Sequence, residues 1–200
     1  MQDVFALEPK TTIPQDESYI ISYPYLVGYF SAKSSFSATD LVAGAHMAYG
    51  WMPTILDLYP KKSRISFDGG AELLTKAKQT GTLDDAELQS LAWLVNNSLV
   101  GASKLLHFVS PGTFAIWDSR VYSFLHEDRP YNTRVNNVLT YRAYLRILAV
   151  LRQDSRFPAF HVSINQKVGY EVSALRALEL VMFNNSFKTK LLGGAAELGP

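Results

Sequence analysis

Apolar residues recur along most of the chain at steps of three and four, the spacing of one buried helix face. The pattern is cleanest after Thr82. Leu88, Leu91, Ala92 and Val95 share a face behind Thr82 as N-cap, with Asp84 and Asp85 in the first turn, where the helix dipole favours acids. Asn96-Asn97-Ser98 breaks that helix and a second one follows from Leu99 to Val109. So short a polar hinge predicts a hairpin of helices or a sharp bend. Upstream, Thr39 and Asp40 supply cap chemistry for a helix through LVAGAHMAYGWM toward Leu56, kinked or restarted at Pro53, and Ala71 to Gln79 reads as a short helix stopped at Gly81. Downstream, Asp118 opens a helix over SRVYSFLHE. A polar loop at 128–134 precedes a long helix from about Val138 to Leu151, and an apolar helix runs from Val172 to Phe183.

Two stretches stay open between helix and strand. Ser18 to Phe30, rich in aromatic and β-branched residues, is either a short strand or a helix initiated by Pro24, and Phe160 to Ile164 allows a short strand. The expected fold class is therefore mostly α. A single compact helical domain spans residues 18–190, after an extended lead-in at 1–17 where Pro9 and Pro14 oppose helix, and before a flexible tail at 191–200.

Composition narrows the function classes. With 48% hydrophobic and 18% charged residues, the 200-residue chain has the make-up of a well-buried globular protein. Its 19 basic and 18 acidic side chains leave a formal net charge of +1, too weak a field to gather a polyanion, so any nucleic-acid contact must come from a local patch. Without cysteine there are no disulfides, thiolate zinc sites, cysteine nucleophiles or cysteine-held iron–sulfur clusters. The four histidines show no ligand spacing such as HExxH, and no GxGxxG, Walker lysine loop or GxSxG occurs, so neither a metal nor another cofactor is implied. No apolar run approaches the roughly 20 residues of a bilayer span, and the start MQDVFALEPKTTIPQDES lacks the regions of a signal peptide. A cytoplasmic protein without a membrane partner is the expectation, and no pattern specifies its oligomeric state.

Candidate chemistry concentrates in Leu99 to Leu125, LVGASKLLHFVSPGTFAIWDSRVYSFL. Lys104 lies among Val100, Leu105, Phe108 and Val109; it either snorkels to water or is desolvated, and a desolvated amine loses its proton readily and can attack a sugar C1′. Asp118, at a helix start, is an N-cap whose rigid carboxylate can also stabilise a cation or orient a water. His107 shares the Lys104 helix face, and Arg120 follows Asp118. The aromatics Tyr49, Trp51 and Trp117 are either core or the walls of a pocket that stacks on a planar ligand. Between Arg129 and Arg156 there are six arginines and one acid, Asp154; Arg142 and Arg146 share a helix face and are either solvated or in contact with phosphate.

The stretch from Leu99 to Val121 resembles the active-site region of the helix-hairpin-helix DNA glycosylase superfamily, in particular its 8-oxoguanine glycosylase-like branch. There a hairpin lysine is followed by a short extended segment and a catalytic aspartate at a helix start. Where that family's hairpin reads LPGVGxK, this chain has LVGASK, with Val100 in place of the proline, and the absence of cysteine separates it from the cluster-containing endonuclease III branch. The segments AHMAYGWMPTIL and KLLHFVSPGTFAIWDSRV also resemble parts of small uncharacterised bacterial proteins. The glycosylase resemblance implies an α-helical fold, DNA as partner, Lys104 as the lysine and Asp118 as the aspartate. The expected function is then an N-glycosidic hydrolase or lyase acting on a modified or damaged base in DNA, or on a related nucleoside. Lys104 would attack C1′ and Asp118 stabilise positive charge on the sugar. Tyr49, Trp51, His107, Trp117 and Arg120 would hold the extruded base, and Arg142 and Arg146 the phosphates. Two other readings stand beside it: a non-catalytic helical module that keeps the glycosylase-like fold and binds nucleic acid or protein, and a structural or toxin–antitoxin-like interaction protein whose aromatics form an interface.

Overall fold

The computed structural model describes residues 2–51 and 54–186. At most helix starts a short polar side chain closes the free amides. Asp3 opens α1 (Val4–Leu7), which runs on into a 3-10 turn at Glu8–Lys10. Next come α2 (Ser18–Ile21) and α3 (Tyr23–Ser31), the latter with Pro24 in its first turn. At the start of α4 (Ala38–Trp51) the Ser37 hydroxyl accepts from the Asp40 N–H at 3.2 Å and the Asp40 carboxylate accepts from the Ser37 N–H at 2.9 Å. Ser66 caps α5 (Phe67–Thr80), which stops at Gly81 in the left-handed conformation. Asp84, rather than Thr82, caps α6 (Asp85–Leu94) in a reciprocal box with Glu87. Ser98 caps α7 (Leu99–Val109) and Asp118 caps α8 (Ser119–His126). The described chain ends through α9 (Asn132–Val135), α10 (Val138–Leu151), α11 (Phe157–Val168) and α12 (Ala174–Asn184).

The centre is α7. It is apolar nearly all round, the pattern of a helix with no free face, and every one of its residues except Val100 is buried. Packed around it are α3, α4, α5 and α6; α8 lies on α12, which also meets α1 and α11, and α10 lies on α6. Gly101 permits the close approach of α4, since a Cβ there would stand 2.0 Å from the Tyr49 hydroxyl oxygen. One apolar cluster runs from Val4 and Phe5 to Val181 and Met182, so the described residues form a single helical domain.

Several local expectations change. Residues 18–30 and 160–164 are helical, in α2 and α3 and in α11, and the β pairing among the described residues is one isolated bridge, Leu58 to Val95. Pro24 and Pro158 sit in first turns, where a missing N–H costs nothing, and the bulky residues behind them reach the core by helix packing. The lead-in is not extended. Val4, Phe5 and Ile13 are buried, and Pro9 falls at the start of the 3-10 turn, so residues from 3 onward belong to the domain. The loop at 128–134 contains the start of α9. The Pro53 kink and the tail at 191–200 lie outside the described residues.

Candidate active site

Between α7 and α8 the chain runs through Phe114, Ala115, Ile116 and Trp117, all buried and outside any helix. Buried backbone of this kind must find partners for its amide groups. Side chains from α7 and α10 supply them. The Tyr141 and Tyr144 hydroxyls on α10 donate to the carbonyls of Ala115 and Ile116 at 3.0 and 3.2 Å. On α7, the Ser103 hydroxyl accepts from the Trp117 N–H at 3.0 Å, and His107 Nδ1 lies 2.7 Å from the Phe114 carbonyl. A carbonyl only accepts, so Nδ1 carries the proton and Nε2 accepts from the Tyr23 hydroxyl at 2.7 Å. Burial then pushes the His107 pKa down to about 3. This clamp delivers Asp118 to a defined place.

The Asp118 carboxylate divides its oxygens. Oδ1 accepts the Arg120 N–H at 2.6 Å, and Oδ2 stands 3.4 Å from Lys104 Nζ. Burial lowers the Lys104 pKa, against the opposing pull of the Asp118 and Glu179 charges. On α12, Glu179 has its pKa raised by burial, opposed first by Arg176 one turn earlier, with which it pairs. The Arg176 guanidinium lies over the rings of Tyr23 and Trp51 at 5.1 and 5.4 Å, and the Lys104 amine is 6.0 Å from the Trp51 ring. Exposure is 8% for Lys104, 3% for Arg176 and 1% for Glu179. Charges this deep each carry a desolvation penalty of several kcal/mol, which packing alone does not repay.

These groups surround one cavity of about 350 Å³, at the small end of the range for small-molecule sites. Lys104, Asp118, Arg120, Arg176 and Glu179 provide its polar wall; Tyr19, Trp51, Ile116 and Phe183 provide the apolar one. An amine, two carboxylates and flat aromatic surface thus face one space. The arrangement can move a proton between nitrogen and oxygen beside a planar ligand.

The structure therefore brings together Lys104, Asp118, Trp51 and Arg120 of the residues singled out in the sequence. The others lie elsewhere. Trp117 is locked in the core by its indole N–H, which donates to the Val135 carbonyl at 2.8 Å, and His107 is spent on the clamp. Tyr49 is buried against Gly101, and its hydroxyl has no hydrogen-bond partner among the described residues. Arg142 is not a free phosphate contact. Its Nε pairs with Asp85 at 2.9 Å and its guanidinium also reaches the Leu83 carbonyl, which ties α10 to the start of α6. Arg146 is exposed and does not line the cavity. Sequence reasoning missed Arg176 and Glu179. Their signal was present in ALRALELVMF, where two opposite charges three apart interrupt an otherwise apolar helix.

Among the described residues no group of three or more histidines and carboxylates could hold a metal ion, and no helix is long and apolar enough to cross a membrane. Comparison with protein-family models, curated proteins and solved structures finds no match.

Proposed function

We propose that the cavity is the active site of an N-glycosidic hydrolase or lyase that acts on a modified or damaged base in DNA or on a related nucleoside. What supports this is the 3.4 Å approach of the Lys104 amine to the Asp118 carboxylate at the wall of an aromatic-lined cavity. Transfer of one ammonium proton to Asp118 frees the amine, and a lone pair so placed is a nucleophile for a sugar C1′. Attack forms the N–C1′ bond as the glycosidic bond breaks, and the departing base takes the proton held by Asp118. The bond from C1′ to the ring oxygen then opens, that oxygen receives the second amine proton, and a protonated imine joins Lys104 to the sugar. Water adds to the imine and returns the amine. Glu179, paired with Arg176, adds a second negative charge beside the sugar, and Asp118, ionised again once the base has taken its proton, stabilises the positive charge of the protonated imine.

Borohydride trapping tests the covalent route. A duplex carrying an abasic site or 8-oxoguanine should give a covalent adduct with the wild type, none with Lys104→Ala, and base release should fail in Asp118→Asn. Adducts that form equally well without Lys104 would remove the nucleophile assignment. Absence of both adduct and base release across a panel of modified-base oligonucleotides leaves the non-catalytic module as the reading.

A further inference from the structure

A second cleft lies between the α6–α7 hinge and the loop at residues 54–66. Its space is about 490 Å³, lined by Tyr59, Lys62, Arg64, Trp93, Asn96 and Asn97. The loop is stitched to the hinge: the Tyr59 N–H donates to the Leu94 carbonyl at 3.0 Å, the Asn96 N–H to the Asp57 carbonyl at 2.8 Å, and Leu58 bridges to Val95. Ser63 turns inward and is fully buried, its hydroxyl 3.1 Å from the Ile65 carbonyl. Its neighbours Lys62 and Arg64 are exposed as a result.

Three independent features set this cleft apart. Lys61, Lys62 and Arg64 crowd a segment with one acid, Asp57, and none of the three cations forms an ion pair among the described residues. In contrast, Arg134, Arg142 and Arg156 of the longer arginine-rich stretch are each paired with an aspartate. Second, Trp93 is 38% exposed and makes no ring contact among the described residues, whereas Trp51 and Trp117 both pack against rings and donate their indole N–H. Third, three of the four non-glycine residues with positive φ among the described residues line this cleft: Arg64 at 62°, Asn96 at 61° and Asn97 at 48°. Left-handed backbone is tolerated by asparagine but strained for arginine, and such strain gathers at binding sites.

We propose that this cleft binds a single strand of nucleic acid, with Lys62 and Arg64 on its phosphates and Trp93 as the platform on which an unpaired base stacks. Cations alone would suit an acidic peptide equally. The unpartnered indole decides for a strand, because every base offers a flat face to it. Lys62 already covers the Tyr59 ring at 4.9 Å, so Trp93 is the open aromatic surface. The inference does not require Lys104 to react, and it moves nucleic-acid contact from α10 to the loop and hinge.

The test is fluorescence anisotropy with a labelled oligothymidine of about 12 nucleotides, within the site sizes of single-strand binders. It is titrated at several salt concentrations with the wild type, Trp93→Ala, Trp93→Phe, Lys62→Ala/Arg64→Ala and Arg146→Ala. Trp93→Ala should weaken binding about ten-fold or more, with Trp93→Phe between it and the wild type. The double variant should flatten the slope of log affinity against log salt by about 0.7 for each cation removed. The titration reads strand binding and borohydride trapping reads the Lys104 adduct, so failure of this site and failure of the glycosidic chemistry are separable. Lack of strand binding, an unchanged affinity in Trp93→Ala, or loss of binding in Arg146→Ala but not in the cleft variants would each overturn the proposal. Competition by inorganic phosphate or thymidine monophosphate at concentrations matching the strand would also overturn it, in favour of a free-anion site.

Discussion

Asp118→Asn separates the two duties of that carboxylate. Asparagine caps helices about as well as aspartate, so the Arg120 N–H keeps a partner and α8 keeps its start. What disappears is the charge 3.4 Å from Lys104. At an effective dielectric of about 20, unit charges at that distance attract by about 5 kcal/mol. Glu179 still faces the amine, so we expect a net loss of about 3 kcal/mol at neutral pH, the low end of the cost of stranding one member of a buried pair. For a domain of this size that is a fall in Tm of about 6–12 °C. Burial holds the Lys104 pKa below its ordinary 10.5. Between its folded pKa and 10.5 the unfolded chain binds the extra proton, so the burden of the buried ammonium is relieved as pH rises through that window. Losing Asp118 lowers the folded pKa further. The penalty of Asp118→Asn is thus largest where Lys104 is protonated, as at neutral pH, and shrinks as pH rises toward the ordinary lysine value of 10.5. Urea unfolding of the wild type, Asp118→Asn, Lys104→Met and the double variant at neutral and at raised pH measures the coupling. A coupling within about 0.5 kcal/mol of zero at neutral pH would refute the reasoning, as would a penalty that grows with pH.

Three further outcomes are expected. Arg176→Met should cost about 3–5 kcal/mol by leaving Glu179 buried without its partner, and Arg176→Met/Glu179→Leu should recover much of that in chemical denaturation. His107 has its folded pKa depressed to about 3 from 6.5, so stability present at neutral pH should drain as pH falls from 6.5 toward 3, by about 1.4 kcal/mol per pH unit for this one proton. His107→Gln, compared with the wild type across pH 7 to 4, should lack that component. Gly101→Ala should destabilise by about 1–3 kcal/mol in urea unfolding, because its Cβ meets the Tyr49 hydroxyl and the ring carbons behind it.

Fold class was legible because its signals are local. The steps of three and four behind Asp84, the polar break at Asn96-Asn97-Ser98 and the largely apolar run of α7 each state their outcome within a dozen residues. Caps were readable to within a residue or two, and Ser37 and Asp84 displaced Thr39 and Thr82 because side-chain geometry, which composition does not carry, selects among neighbouring candidates. Residues 18–30 and 160–164 were ambiguous because bulky apolar residues satisfy strand and buried helix alike.

By itself, then, the sequence determined a mostly helical chain without cysteine chemistry, and it placed Lys104 on one helix and Asp118 at the start of the next. Only the tertiary structure decided which polar groups meet. Lys104 finds Asp118 and faces Glu179 from α12, Arg142 is taken by Asp85, and Trp117 goes to the core while Trp51 walls the cavity. The reason is physical: helix periodicity and capping act over a few bonds along the chain, whereas the pairing of buried charges depends on where distant helices cross, and each such helix shows only one or two charges on an apolar face.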